Sequence, residues 1–486
     1  MPPSAKTRLP IHLAAALASL LLSLLAIWQN PWINTDGVHY LRAIEGNAES
    51  IHQIGGWLFY SRLIGGVAIL TGLEPETAAY LLNTLLDLLL VLAFLRFVEE
   101  AGANRRVLAW AALLILALPY LNDNRPEIIR DHGYWAFTLV ALIFWLRLLR
   151  DFSWKRLLGW NLAMGAATLF RVEGIVFLAL MPLGLLLQPR PWRERLRQLL
   201  LASVPVALGA IALLLWAGMD SEGNRLTRLL AHAGELGEIF THKIPARAEK
   251  LSAALPDLST ASATWVLYLS VLFSILKDLG EALSWPLALL LLLRRRFPAP
   301  SLPQDYLRLL IPYSAISLLV LFVQGSRHFI MVSRYTMALA LVLLPVGAWS
   351  LDHLWQRYRQ RETGLLLPAM AGLALLWMIG DSLIDTSKPK PYIMDAAHWA
   401  VANLPRGSKV LTDYDPLRLD YYAEKTGGKG IDFQRFKAGR TALEQYDYAF
   451  VRDAGGPLAQ KLGGRPASLV WRSGSGSRDV RVYRLR

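Results

Sequence analysis

The chain has 486 residues, 54% of them hydrophobic and 18% charged, with a mean hydropathy of +0.34. Its apolar residues come in continuous Leu, Ala, Val and Ile blocks of about 17–22, the length that crosses a hydrocarbon core as a helix, which excludes the ten-residue alternation of a transmembrane barrel. With no cysteine, disulfides and thiol chemistry are excluded, and the formal net charge of +14 is discounted as a nucleic-acid signal because much of the excess sits in short loops between apolar runs.

In chain order, the first apolar run spans 11–28 behind Lys6 and Arg8, and Ile27-Trp28-Gln29-Asn30 is a poor small-residue cleavage site. It reads as an uncleaved anchor with its amino terminus inside. Further runs lie near 77–98, 107–121, 133–149, 157–170, 174–188, 199–218, 264–293, 306–324, 334–350 and 364–380, which predicts roughly eleven spans. The segment 54–72 is long enough to cross but holds Arg62 and five glycines, so it is assigned to a juxtamembrane or re-entrant helix. Loop charges test that assignment. With 54–72 not crossing, Arg105/Arg106, Arg147/Arg150/Lys155/Arg156, Arg190/Arg193/Arg195/Arg197, Arg294–Arg296 and Arg357/Arg359/Arg361 all face the cytoplasm, as the positive-inside rule requires.

That parity puts the loops 29–76, 122–132, 219–263 and 325–333 on the outer face. The loop 219–263 is expected to form amphipathic helices on that surface, as a cover or as a gate for substrate. Residues 387–486 change character: a helix at 392–403, the stop Leu404-Pro405-Arg406-Gly407, and strands at 409–414, 446–452, 467–472 and 480–485 predict a small soluble α/β domain. The expected architecture is a polytopic α-helical membrane protein of about eleven transmembrane helices, residues 1–386, followed by an extracytoplasmic domain, residues 387–486.

The outer loops carry the candidate chemistry. Asp36 lies a few residues beyond the anchor beside His39, Tyr40 and Arg42; its carboxylate can accept a proton or hold a divalent ion, and it can equally cap a short helix starting at Gly37. The next outer loop holds Arg125, Glu127, Arg130 and Asp131, with guanidinium forks suited to phosphate or a uronate and carboxylates able to orient sugar hydroxyls or anchor Arg42, or else salt bridges that only fix the loop. Arg171-Val172-Glu173-Gly174 turns a tight helical hairpin, where an intra-turn ion pair is the modest explanation. Arg327, His328, Arg334 and Tyr335 bracket a further outer loop, suited to a lipid phosphate or to ordinary interfacial anchoring. The nine histidines form neither a His-rich tract nor an HExxH motif, and no metal ligand set is assigned.

The order of these parts resembles the bacterial polytopic glycosyltransferases of the GT-C superfamily, family 39 and its Rgt- and ArnT-like relatives. The carrying residues are Asn34-Thr35-Asp36-Gly37-Val38-His39-Tyr40-Leu41, Ala78-Ala79-Tyr80-Leu81-Leu82-Asn83-Thr84-Leu85-Leu86, Phe170-Arg171-Val172-Glu173-Gly174, Ser333-Arg334-Tyr335-Thr336 with Leu344-Pro345, and Ala396-Ala397-His398-Trp399 through Asn403-Leu404-Pro405-Arg406-Gly407-Ser408-Lys409-Val410. The resemblance implies transfer of a sugar, with inversion, from a polyprenyl-phosphate donor to a cell-envelope glycan, lipid or protein acceptor on the outer face of the bacterial inner membrane. Asp36 takes the place of the first-loop base. The family's first loop often carries an adjacent acidic pair, but here Gly37 follows Asp36, and the Asp-x-Asp metal motif of oligosaccharyltransferase-type relatives is absent, which argues for metal independence without excluding a divalent ion. On this reading Arg125, Glu127 and Arg130 contact the sugar, and Arg171, Arg327 and Arg334/Tyr335 are candidates for the phosphate. Two other classes share the outer charges: a lipid flippase or transporter, which calls for ionisable residues deep in the spans, of which there are few beyond Asp87, Arg62 and Lys277/Asp278/Glu281, and an O-antigen ligase or polymerase, which calls for a large Arg-rich outer loop where this chain's is mixed in charge.

Overall fold

The computed structural model describes residues 9–218, 234, 237–255, 257–293, 302–329, 331–384, 391–428, 430–438, 441–452, 455–463, 467–473 and 480–485. Lys6, Arg8, the part 219–233 of the loop 219–263 and the triplet Arg294–Arg296 lie outside these residues; the later part of that loop holds the helix Ile244–Ala254 and the start of Thr260–Ala282. The chain packs as two compact units. One contains Met1–Ala26, Asn83–Arg125 and Arg130–Ile384; the other contains Ile27–Leu82, Pro126–Ile129 and Asp385–Arg486. Composition alone placed a boundary near residue 386, whereas packing groups the first long loop with the C-terminal segment.

Among the described residues seven helices are long and apolar enough to cross a bilayer: Leu9–Gln29, Pro75–Glu100, Asp131–Arg150, Thr260–Ala282, Gln304–His328, Ser333–Arg359 and Leu366–Leu383. The chain is a multi-pass helical membrane protein. Several expected runs take shorter forms. The run 107–121 becomes a 12-residue helix, Arg105–Leu116, started by the Asn104 side chain accepting from Arg106 and Val107 N–H at 3.0 Å, and then Pro119–Asn124. Residues 157–170 lie in the 17-residue helix Trp154–Phe170, and 174–188 in Gly174–Leu180 continued by a 3-10 turn, Met181–Leu187. The run 199–218 is the end of a 27-residue helix, Trp192–Gly218.

The run 264–293 is not one straight span. Ser259 caps Thr260–Ala282 by accepting from Ser262 N–H at 3.2 Å, and the helix stops before Ser284, whose φ of 66° turns the chain into Trp285–Leu293. Pro286 fits the break, since it has no N–H to donate back to the preceding helix and is tolerated in the first turn of the next one. The Ser333 hydroxyl donates to Glu281 Oε2 at 2.7 Å and the Thr336 hydroxyl to the Asp278 carbonyl at 3.1 Å, so the end of Thr260–Ala282 lies level with the start of Ser333–Arg359.

In the other unit, 54–72 forms a turn at Gly55 and Gly56, both at φ 70°, then the helix Phe59–Thr71, closed by Gly72 at φ 69°. Thirteen residues rise about 20 Å, short of the roughly 30 Å of a hydrocarbon core. The C-terminal segment opens with the helix Pro391–Asn403 and builds a five-stranded sheet from β1 (Lys409–Thr412), β2 (Asp432–Arg435), β3 (Tyr448–Val451), β4 (Ser468–Ser473) and β5 (Val480–Arg484), in the order β2-β1-β3-β5-β4. β1 pairs parallel with β2 and β3, through Val410 opposite Phe433 and Tyr448; β5 runs antiparallel to β3 and β4. Leu411, Ala449, Val451, Leu443, Tyr446, Leu458 and Leu462 form the buried core on one face. β2, with Asp432, Gln434 and Arg435 exposed, lacks the alternation that predicted the other four strands.

Candidate active site

Asp36 sits in the first turn of the helix Thr35–Ile44, half-buried, where a carboxylate meets the positive end of the helix dipole. The cap position belongs to Asn34, not to Asp36, and even Asn34 turns its side chain away from the helix. Its amide oxygen accepts from Ile128 N–H at 2.9 Å and its amide nitrogen donates to the Ile128 carbonyl at 3.3 Å. Gly37 fits because nothing larger can. A Cβ there would lie 2.7 Å from Asn34 Oδ1, 2.9 Å from Ile33 Cγ1 and 3.0 Å from Ile128 Cβ, which leaves no room for a second carboxylate beside Asp36.

The helix Pro416–Lys425, capped by Asp415, which accepts from Leu417 N–H at 3.1 Å, packs on Thr35–Ile44. The Thr35 hydroxyl donates to Asp415 Oδ2 at 2.5 Å, and Arg418 Nε donates to the same oxygen at 2.9 Å. Arg42, expected at the substrate, instead donates from Nη2 to Asp420 at 2.7 Å and to Glu424 at 2.9 Å, and its side chain is 14% exposed. Its anchors are therefore the C-terminal acids and not Glu127 or Asp131. Tyr40 is a buried packing residue, edge-on to Tyr60 with ring centroids 4.8 Å apart, which removes it from the substrate contacts. Tyr422 accepts from Ile33 N–H at 2.8 Å, and burial raises its hydroxyl to about 12; Glu76 takes hydrogen bonds from Tyr421 and Lys425. His39 lies 3.3 Å from the Ser50 hydroxyl. Burial depresses its imidazole below the ordinary value, against the opposing pull of Asp36, Asp415 and Glu49. Glu127, on the short segment Pro126–Ile129, is half-buried.

In the other unit, Arg125 is not open to a sugar. Its guanidinium is fully buried, donating to Asn122 Oδ1 at 2.7 Å and to the Ser23 hydroxyl at 2.7 Å, and lying 3.8 Å from Asp87, which also pairs with His132 at 2.7 Å. A guanidinium with these partners is a structural cross-link between helices. Arg130 stands half-buried at the cap of Asp131–Arg150. Asp131, expected to orient sugar hydroxyls, is buried in an ion pair with Arg171.

Arg171 is the centre of this second cluster. It pairs with Asp131 and Glu173, and its guanidinium lies 4.5 Å from the Tyr335 ring centroid and 5.7 Å from that of Tyr134. The two carboxylates hold its pKa well above the ordinary value despite burial, and Arg171 in turn holds Glu173 below the usual carboxylate range. Arg334 lies 5.6 Å from the same Tyr335 ring. Tyr134, Arg171, Glu173, Arg334 and Tyr335 rim a small cleft of about 30 Å³, open to the outside, whose apolar walls are Phe177, Val320, Leu321, Ala338 and Leu339. A charged mouth over an apolar groove suits an amphiphile with an anionic head. Three of the expected phosphate contacts, Arg171, Arg334 and Tyr335, meet here. Arg327 is exposed and does not line the pocket, and the His328 side chain lies outside the described ones. Among the described residues no three acids or imidazoles gather as a metal site.

No protein-family model matches the chain, and no curated protein does. Solved structures do. ArnT from Cupriavidus metallidurans bound to undecaprenyl phosphate aligns over 99% of this chain and 98% of its own, at 13% identity and a TM-score of 0.53. The same enzyme in the apo state aligns with a TM-score of 0.48 at 13% identity, over 99% of this chain and 98% of its own. The mycobacterial arabinofuranosyltransferase AftD aligns with a TM-score of 0.49 at 17% identity, over 100% of this chain and 42% of its own. At such identities the likeness to ligand-bound ArnT speaks for the fold alone: this chain shares the fold of ArnT.

Proposed function

We propose that this chain, which has the GT-C fold, is a membrane glycosyltransferase that moves a sugar from a polyprenyl-phosphate donor to an acceptor of the cell envelope at the outer face of the inner membrane. The observation that carries the reading is the cleft of Arg171, Glu173, Arg334 and Tyr335, a mouth of two guanidiniums, one carboxylate and an aromatic ring over apolar walls, in which Arg171 is paired with acids and Arg334 is the cation offered to an anionic head. A polyprenyl phosphate has that polarity, and the structural neighbour ArnT binds undecaprenyl phosphate.

The chemistry divides into two charge problems. As the bond from the anomeric carbon to phosphate breaks, the lipid phosphate gains a negative charge, which a preorganised guanidinium stabilises more in the transition state than in the ground state. Arg171 already spends Nε, Nη1 and Nη2 contacts on Asp131 and Glu173, so its role is to position Tyr335 and the pocket wall. Arg334 is the phosphate contact. The attacking acceptor hydroxyl loses its proton as its oxygen bonds to the anomeric carbon from the face opposite the phosphate, and Asp36 takes that proton. Inversion follows from this single displacement.

Binding of undecaprenyl phosphate and of uncharged undecaprenol to the detergent-purified protein, read by native mass spectrometry, tests the pocket. Phosphate-dependent retention that falls in Arg334→Ala supports the reading; equal retention of both lipids, or no change in Arg334→Ala, refutes it.

A further inference from the structure

At the opposite end of the helix Asp131–Arg150 from Asp131 lies a second cavity of about 500 Å³, broadly open to the outside. Its lining is five bases, Arg96, Arg147, Arg150, Lys155 and Arg156, against two acids, Glu100 and Asp151, with Phe144. One carboxylate is shared three ways: Glu100 pairs with Arg96 at 2.6 Å, Arg147 at 2.7 Å and Arg150 at 3.1 Å. Arg96 also reaches Glu99 at 2.8 Å, Arg150 reaches Asp305 at 3.1 Å, and Arg156 pairs with Asp151 at 2.7 Å. Among the described residues no carboxylate pairs with Lys155. Even with these outlying acids counted, cations prevail, and Arg308 beside Asp305 adds another.

The position selects the ligand. Two apolar spans, Pro75–Glu100 and Asp131–Arg150, both end at this cavity, so it opens where hydrocarbon gives way to headgroups. Trp154, Leu158 and Leu162, on the helix that leaves it, are all more than half exposed, an aromatic and aliphatic face suited to acyl chains. We propose that this cavity binds the phosphate of an anionic glycerophospholipid in the leaflet these helix ends face, which the positive-inside rule makes the cytoplasmic one. Arg147 and Arg150, fixed by Glu100, form the floor, and Lys155 closes on the phosphate from the rim. This site is separate from the donor pocket, and its test needs no sugar and no turnover.

The experiment is a titration of the detergent-purified protein with phosphatidylglycerol, phosphatidylcholine or inorganic phosphate, read by native mass spectrometry and by thermal unfolding. Saturable binding of phosphatidylglycerol but not phosphatidylcholine, weakened about fivefold in Lys155→Ala and retained in Lys155→Arg, is expected. Lys155 is exposed, so neither variant threatens folding. Equal binding of the two lipids, or an unchanged Lys155→Ala, overturns the site. Inorganic phosphate competing at the same concentration as phosphatidylglycerol overturns the lipid assignment and leaves a soluble phosphate as occupant.

Discussion

Replacing Arg171 with Met should be among the most destabilising single changes in the membrane part of this protein, and the structure says by how much. The Arg171 side chain is 7% exposed and its partner Asp131 is 4% exposed, so removing the cation strands a carboxylate in a nearly dry site while Glu173, 23% exposed, keeps some water. Breaking a buried pair from one side costs about 3–5 kcal/mol. Loss of the stack on Tyr335 adds about 1 kcal/mol. The triple variant Arg171→Met, Asp131→Asn, Glu173→Gln removes the stranded charges together with the cation, and it should recover most of the loss without recovering activity. Unfolding followed by the fluorescence of the chain's 17 tryptophans gives the comparison. If Arg171→Met costs less than about 1 kcal/mol, or if the triple variant is no more stable than the single one, the buried-pair reasoning fails. The same network sets an acid limit. Glu173 titrates below its unfolded value of 4.5, so its contribution is complete above pH 4.5 and is lost as pH falls through the folded value; Glu173→Gln should flatten that part of the stability profile.

Further outcomes follow from other contacts. Gly37→Ala should cost about 1–3 kcal/mol and lower activity by displacing the turn that carries Asp36, as read by unfolding and turnover together. Arg42→Ala should expose the C-terminal segment to limited proteolysis at a stability cost of about 1 kcal/mol, because its partners Asp420 and Glu424 are partly solvated; an unchanged cleavage pattern would count against the anchor. His39 titrates below its unfolded value of 6.5, so it favours the folded state fully above pH 6.5 and less as pH falls through the folded value, and His39→Asn should remove that slope from the stability profile. Arg334→Ala should lower kcat/KM for the lipid-phosphate donor by about 10–100-fold, the worth of one charge-assisted hydrogen bond, with a fall in kcat as well as weaker donor binding.

The membrane class and four of the five strands were legible because each rests on a local signal: block length or period-two alternation. Partners across the sequence were not. Arg42 reads alone as a substrate contact, and only folding brings Asp420 and Glu424 to it, about 380 positions away. The sequence did hold a hint, since Asp415-Pro416 is a helix start and Asp420 and Glu424 share one face of that helix. Arg125 was misplaced for a similar reason: a loop guanidinium and a buried one look alike until Ser19, Ser23 and Asp87 are seen around it. The break in 264–293 was readable at Pro286 and in Lys277, Asp278 and Glu281 just before it, but the apolar residues on both sides read as one run. Gly37, which departs from the acidic pair common in the resembling family, is explained by crowding from Asn34, Ile33 and Ile128 that no linear reading displays.

The central claim is that Asp36 takes a proton while a sugar leaves a lipid phosphate. The most direct measurement is release of polyprenyl phosphate, by mass spectrometry, from a panel of polyprenyl-phosphate sugars given to the purified protein with an envelope extract as acceptor, comparing wild type with a folded Asp36→Asn variant. The account predicts release by wild type and a fall of about 10²–10⁴-fold in Asp36→Asn; equal release by the two proteins, or none by wild type with any donor, would contradict it.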